Sequence, residues 1–395
     1  MQSNEFPGLP VATRFDGVDT LRGLSILAVV LLHAHLRMFF AGHSIEPLMP
    51  GWLFEFLFTN GNNGVTVFFA VSGFLITFTS LRRFGSLAGI RAATFYRVRF
   101  ARIAPLLLLT LAVLSLLHLM HAEGFRIPSS RGSLPQAVFS ALTFHLNWLE
   151  ARHGFLPANW DVLWSLSVEE MFYLFFPLAC LLFLRWRRGT LFFVLLLVLF
   201  IGMGPLARTV WTTNEIWQEK SYLGGMDGIA LGCLTALLTE RLQRDRVQIG
   251  MRLLMSIQIV GAVLMALIFA WPHWHWMGSI GRTGVDGTVL ALGTCCVMFG
   301  SVLRGRRGRP WSEPIRWVGR CSYEIYLTHE FVVVWLTLLY LKLQRGPVLV
   351  WIAAIVMLSA VLGAWVARWF SEPMNRRLRS ARTLSNQSEH AEQMA

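Results

Sequence analysis

The chain has 395 residues, of which 55% are hydrophobic and only 14% charged, and a formal net charge of +13. A water-soluble domain carries about a quarter charged residues, so this composition excludes one large soluble domain and points to a polytopic membrane protein. The positive charge is not a nucleic-acid signature, because the arginines gather in alternate connections between apolar runs.

Ten apolar runs follow one another, at residues 21–41, 65–81, 103–119, 163–184, 190–206, 223–238, 253–271, 285–303, 321–341 and 348–370. About twenty residues at about 1.5 Å each cross the hydrocarbon core, so the expected fold is an all-α membrane bundle of about ten transmembrane helices. The connections at 82–102, 185–189, 240–252 and 304–320, with the stretch after Ser371, hold most of the 35 Lys and Arg residues. The positive-inside rule then makes both termini cytoplasmic. Residues 134–149 are apolar enough to lie in the interface or re-enter, while Gln136, His145 and Asn147 interrupt them; spanning, re-entering and lying on the membrane are the three readings open to this segment. Residues 1–19 lack the apolar core of a cleavable signal, residues 1–379 read as one membrane domain, and 380–395 as a disordered tail. The five cysteines fall in apolar stretches without metal-ligand spacing, which reads as reduced core residues.

Within the first run, Arg22 and His33 stand eleven residues apart, so they share one helix face with an axial separation of about 16 Å. Polar groups at membrane depth face a bundle interior or a wet cavity, so this face is expected to look into a site. His35 points elsewhere round the helix and reads as structural. Ser72 and Gly73 in the second run allow close helix approach. The basic stretch that follows holds Arg82, Arg83, Arg91, Arg97, Arg99 and Arg102. The first three read as topology signals, whereas Arg99 and Arg102 share a helix face and present forks that suit phosphates. In the fourth run, adjacent Glu169 and Glu170 are embedded carboxylates, and helical rise puts Glu169 at a depth comparable with His33. Asp227 and Asp286 are embedded without an evident partner. His329 lies near Glu324, Tyr326 and Glu330 and suits either a helix-packing hydrogen bond or a substrate contact. His273 and His275, interleaved with Trp271, Trp274 and Trp276, read as an interfacial belt, and no metal is expected.

Several motifs, in order, resemble those of the acyltransferase family 3 of integral membrane proteins. They are Leu21-Arg22-Gly23-Leu24 with His33, Phe69 to Ile76, Phe95-Tyr96 with Arg99, Arg102-Ile103 and Pro105, and Trp164 to Tyr173. Met226-Asp227-Gly228, Ser322-Tyr323, Ile325-Tyr326-Leu327 with His329, and Glu372-Pro373 complete the set. The resemblance covers nearly the whole chain.

It implies transfer of an acyl group, most often acetyl, from acyl-CoA to a hydroxyl of a cell-surface glycan or similar acceptor, in the bacterial inner membrane. Arg22, Arg99 and Arg102 are then the expected donor-phosphate ligands. A pantetheine arm matches the separation that would bring the thioester to His33. His33 is the expected general base and Glu169 its orienting carboxylate. Ser72, Glu170, Tyr173, Asp227, Tyr326 and His329 are expected to line the site. The expected partners are acyl-CoA, a hydroxyl-bearing glycan or small-molecule acceptor, the lipid bilayer and a second copy of the chain in a homodimer, with no nucleic acid. Two competing readings are the same chemistry on a small hydrophobic acceptor such as a macrolide, and a non-catalytic transporter of envelope intermediates.

Overall fold

Burying apolar side chains while satisfying every backbone amide leaves helices as the solution for such a sequence, and the computed structural model consists of them. It describes residues 14–270, 283–305 and 307–379, among which there is no strand. The interfacial belt expected around His273 and the tail expected at 380–395 lie outside the described residues. In chain order the helices are α1 (Asp16–Phe40), α2 (Gly51–Phe58), α3 (Gly61–Phe84), α4 (Ala92–Leu119), α5 (Leu134–Leu142), α6 (Leu146–His153), α7 (Asn159–Phe183) and α8 (Gly189–Thr209). There follow α9 (Glu215–Lys220), α10 (Tyr222–Arg244), α11 (Met251–Phe269), α12 (Asp286–Arg304), α13 (Glu313–Arg320), α14 (Ser322–Leu343) and α15 (Val348–Val366). Among the described residues, ten segments are long and apolar enough to cross a membrane, and they coincide with the ten apolar runs. The segment at 134–149 resolves into α5 and α6, of 9 and 8 residues. At about 1.5 Å per residue neither can cross a bilayer. The capping box between Ser133 and Gln136 starts α5 and fixes its entry.

Helix α1 packs on α3, α13, α14, α15 and α12. The most extensive pairing joins α3 to α10, and glycine makes it close. A Cβ on Gly73 would lie 2.0 Å from the Ile229 carbonyl oxygen, and one on Gly232 would lie 2.1 Å from that of Ala70. The expected close approach at Gly73 is therefore a backbone contact with α10.

Buried charges are paired across helices. Arg208 on α8 grips Asp227 on α10 at 3.1 and 2.7 Å, and the Thr288 hydroxyl donates to the same carboxylate at 2.5 Å from α12. The Gly284 carbonyl takes further bonds from the guanidinium at 2.9 and 2.7 Å. Asp227, without an evident partner in the sequence, thus joins three helices. Asp286 stands in the first turn of α12, where a carboxylate complements the helix dipole.

A second network holds α6 and α9 to α7. The Lys220 ammonium is fully buried and donates to Glu150 at 2.9 Å and to Asp161 at 2.5 Å, while lying 4.5 Å from the centre of the Phe155 ring. The other oxygen of Glu150 accepts the Leu156 amide at 3.0 Å. Burial pushes the Glu150 carboxyl well above the ordinary range, the Asp161 charge pushes it the same way, and Lys220 opposes both. Replacing Lys220 by Met leaves two carboxylates facing each other without their cation. Breaking one partner of a buried pair costs about 3–5 kcal/mol, so we expect Lys220→Met to lower the melting temperature in detergent markedly. An unchanged melting curve would show that the triad does not stabilise this end of the bundle.

Candidate functional site

The site is built along α1. Gly23 lets this helix touch α13, since a Cβ there would meet the Ile315 carbonyl oxygen at 2.1 Å. The neighbouring Arg22 is thereby brought against α14, where its Nε donates to the Ser322 hydroxyl at 3.2 Å, with the Asp19 carboxylate 3.9 Å away. Next to Ser322, the Tyr323 hydroxyl donates to the Ile103 carbonyl at 2.8 Å, tying α14 to the helix that carries Arg99 and Arg102.

Arg99 lies over the Tyr173 ring with its Cζ 4.2 Å from the centroid. The Tyr173 hydroxyl forms a short hydrogen bond with Ser72 and donates to Glu169 at 3.5 Å. The cations acting on the Glu169 carboxylate are Arg99, Arg102 and Arg22, and Arg99 also acts on Glu170. One oxygen of Glu170 is buried without a hydrogen-bond partner. The structure therefore gathers Arg22, Arg99, Arg102, Glu169, Glu170, Ser72 and Tyr173 into one group. Among the described residues, Arg99 and Arg102 make no ion pair within 4 Å, in contrast to Arg208 and Lys220, which are locked.

About three turns further along α1, the His33 ring lies 5.0 Å from that of His329 on α14, centroid to centroid. His33 Nδ1 is 2.9 Å from the Val29 carbonyl oxygen and 3.3 Å from His329 Nε2. His329 Nδ1 faces the carbonyl oxygens of Tyr326 at 2.8 Å and Ile325 at 3.1 Å. Carbonyl oxygens only accept, so neutral His329 carries its proton on Nδ1 and offers a lone pair at Nε2. His33 Nδ1 then faces two acceptors and must itself carry the proton. Neutral His33 is left with a bare Nε2. Glu330 lies with one oxygen 4.0 Å from His329 Nε2 and the other 3.9 Å from an Arg37 nitrogen.

The sequence reading places Glu169 at the level of His33 as its orienting partner. In the structure the hydrogen-bonded neighbour of His33 is His329, and Glu169 belongs to the arginine group. Tyr326, also expected at the site, lies beside His329 with ring centroids 6.0 Å apart. Its hydroxyl donates to the Val162 carbonyl at 2.8 Å and meets the Ser165 hydroxyl at 2.6 Å, joining α14 to α7. Asp227 is held by Arg208 instead. His35 turns away and packs against Phe54 at 4.9 Å between ring centroids, a core position. Sequence reasoning missed the roles of Lys220 and Glu150, which lie outside the apolar runs. Glu330 was visible only as a neighbour of His329, and its signal was a His-Glu pair inside an apolar helix.

His33, His329 and Glu330 are also the one grouping of ligand-bearing side chains among the described residues with all three donor atoms within 4.8 Å of one another. His33 Nδ1 is engaged by the Val29 carbonyl at 2.9 Å and by His329 Nε2 at 3.3 Å, so Nε2 is the nitrogen His33 leaves available to a ligand. At the same end of the bundle, α5 and α6 form an open surface pocket of about 210 Å³ lined by Phe139, Trp148, Gln136, His145 and Arg152 among others.

The acyltransferase domain family, Acyl_transf_3, matches residues 15–369. The chain is 24% identical over 378 residues to the O-acetyltransferase OatA of Staphylococcus aureus, an overlap of 91% of this chain and 57% of that protein. It is likewise 24% identical over 358 residues to the peptidoglycan O-acetyltransferase OatA of Listeria monocytogenes, an overlap of 80% of this chain and 49% of that protein. The chain thus spans about half the length of the curated relatives it matches. No solved structure matches it. Motif residues from Arg22 to His329 converge on one helix bundle, and the family match runs through all of them: the chain belongs to the acyltransferase family 3 of integral membrane proteins.

Proposed function

We propose that the protein is a bacterial membrane O-acetyltransferase that takes acetyl from acetyl-CoA at its arginine end and delivers it to a glycan hydroxyl at the histidine end. What supports this reading most directly is the arrangement along α1. Arg22, Arg99 and Arg102 act on the Glu169 carboxylate from a distance, with no ion pair to it within 4 Å among the described residues, and on the same face His33 keeps a bare Nε2. Guanidinium forks not locked into ion pairs suit the phosphates of coenzyme A. The pantetheine arm is of the order of the 16 Å rise between the two residues. The arginine bias of alternate connections puts the donor mouth in the cytoplasm, so the His33 end faces outward across the bacterial cell membrane.

In the reaction, His33 Nε2 takes the proton of the acceptor hydroxyl while its oxygen attacks the thioester carbonyl carbon. The new C–O bond forms, the C–S bond breaks on collapse, and the departing thiolate takes the proton from the imidazolium. A glycan acceptor fits the relatives' printed activity as O-acetyltransferases, one of them acting on peptidoglycan. The surface pocket between α5 and α6 agrees with it, because aromatic faces flanked by hydrogen-bond donors suit a sugar ring.

General-base catalysis contributes about 10²–10⁴-fold, so His33→Ala in correctly inserted protein should lower acceptor-dependent release of coenzyme A by that factor. Cells carrying it should lack the acetyl group that mass spectrometry finds on envelope glycans of the parent. Near-normal transfer by this variant would remove His33 from the chemistry. The arginines are tested through the donor. A charge-assisted hydrogen bond contributes about 1.5–3 kcal/mol, so Arg99→Ala and Arg102→Ala should each raise KM for acetyl-CoA about tenfold or more. The Lys variants should recover only part of this, since they keep the charge and lose the fork. An unchanged donor KM in both would place the phosphates elsewhere.

A further inference from the structure

Two residues of the His33 end are left unused by the reaction as written. His329 is completely buried in a membrane-spanning helix, Glu330 beside it is 4% exposed, and neither touches the arginine group. Both belong to α14, and both face the ring proposed as the base.

A histidine serves as a general base only if the nitrogen turned to the substrate is the bare one. The protein imposes that tautomer through the groups that face His33 Nδ1. The Val29 carbonyl alone would bias His33 toward Nδ1–H, but that oxygen also accepts within its own helix, which leaves the preference weak. His329 supplies the second acceptor at 3.3 Å. It can do so only because its own proton is committed to the Tyr326 and Ile325 carbonyls. The Tyr326 hydroxyl is in turn anchored to α7 through Val162 and Ser165, so the acceptor is held in place from two helices.

The second requirement is charge. When His33 takes the proton, an imidazolium forms at membrane depth. Of the charged groups around it, Arg37 on α1 has the wrong sign. Glu219 on α9 accepts a hydrogen bond from Asn62 at 2.7 Å on the exposed rim. Asp161 on α7 is held by Lys220 at 2.5 Å. Glu330 remains. It is buried, it lies one residue from His329, and its nearest cation, Arg37, stands off at 3.9 Å.

We propose that His329 and Glu330 are the positioning pair of this enzyme: His329 locks His33 in the Nδ1–H tautomer, and Glu330, rather than Glu169, is the carboxylate that faces the imidazolium during transfer. This rests on the reading of His33 as base. It gives the role of the carboxylate in a hydrolase triad to two residues, one directing the proton and one supplying the charge.

The test combines nitrogen NMR on ¹⁵N-histidine-labelled protein in nanodiscs with transfer kinetics. In the wild type, His33 should show a protonated Nδ1 and a bare Nε2, and this signature should be lost in His329→Ala. His329→Ala should lower kcat at least 100-fold with KM for acetyl-CoA unchanged, and His329→Gln, whose amide oxygen can accept from His33, should restore at least tenfold of that loss. Glu330→Gln should keep the tautomer and lower kcat about tenfold. A wild-type His33 protonated on Nε2, or a His329→Ala protein with normal kcat, overturns the proposal even if His33→Ala is inactive. If His33→Ala remains active, the reading of His33 as base fails instead, whatever the tautomer proves to be.

Discussion

Inside an apolar bundle, every hydrogen-bonding or charged group has to be met by protein, because neither lipid nor bulk water will meet it. That constraint organises this molecule. Arg208 and Asp227 satisfy one another across three helices, and Lys220 satisfies Glu150 and Asp161 at one end of the bundle. Each is a closed set with good distances, and each holds helices that would otherwise associate only through apolar contact. Against these closed sets, the groups along α1 stand out as open. Arg99 and Arg102 are near carboxylates without being locked to them, and the Nδ1 contacts of His33 leave Nε2 with a free lone pair. Open groups at membrane depth persist where a substrate completes them.

The helix contacts explain how the open groups come to share one axis. Glycine-mediated approach lets α3 and α10 pack backbone to backbone, and Gly23 lets α13 meet α1 beside Arg22. Around that frame α14 contributes at both ends, through Ser322 and Tyr323 to the arginine group and through Tyr326, His329 and Glu330 to His33. A single helix paired with α1 thus reaches both the arginine group and the His33 pair, which accounts for how motif residues so far apart in sequence come together.

Much of this was legible in the sequence, for identifiable reasons. The ten membrane-crossing helices follow from length and hydropathy, and hydropathy needs no partner to be read. The shared face of Arg22 and His33 follows from helical periodicity within one element. The pairing of His33 was not legible, because axial rise measures depth and says nothing about which way a neighbouring helix turns its side chains. Glu169 and His33 were matched by depth and by their places in the family motifs. The structure turns Glu169 toward Tyr173 and the arginines, and brings His329 to His33 from a helix almost three hundred residues away in the chain. Lys220 and Glu150 escaped notice for a related reason. Each stands in a connection between apolar runs, and only tertiary packing buries them. Asp227 was visible as an anomaly but not its answer, since Arg208 lies on another helix.

The central claim is that one conduit along α1 joins a phosphate-binding arginine group to a base held by α14. A structure of the protein bound to a non-hydrolysable acetyl-CoA analogue tests it most directly. The account predicts the diphosphate against Arg22, Arg99 and Arg102, the pantetheine arm running along α1, and the thioester surrogate close enough to His33 Nε2 for an acceptor hydroxyl to bridge them, about 3–3.5 Å from each. An analogue bound away from the arginines, or one whose acyl group ends far from the His33–His329 pair, would contradict it.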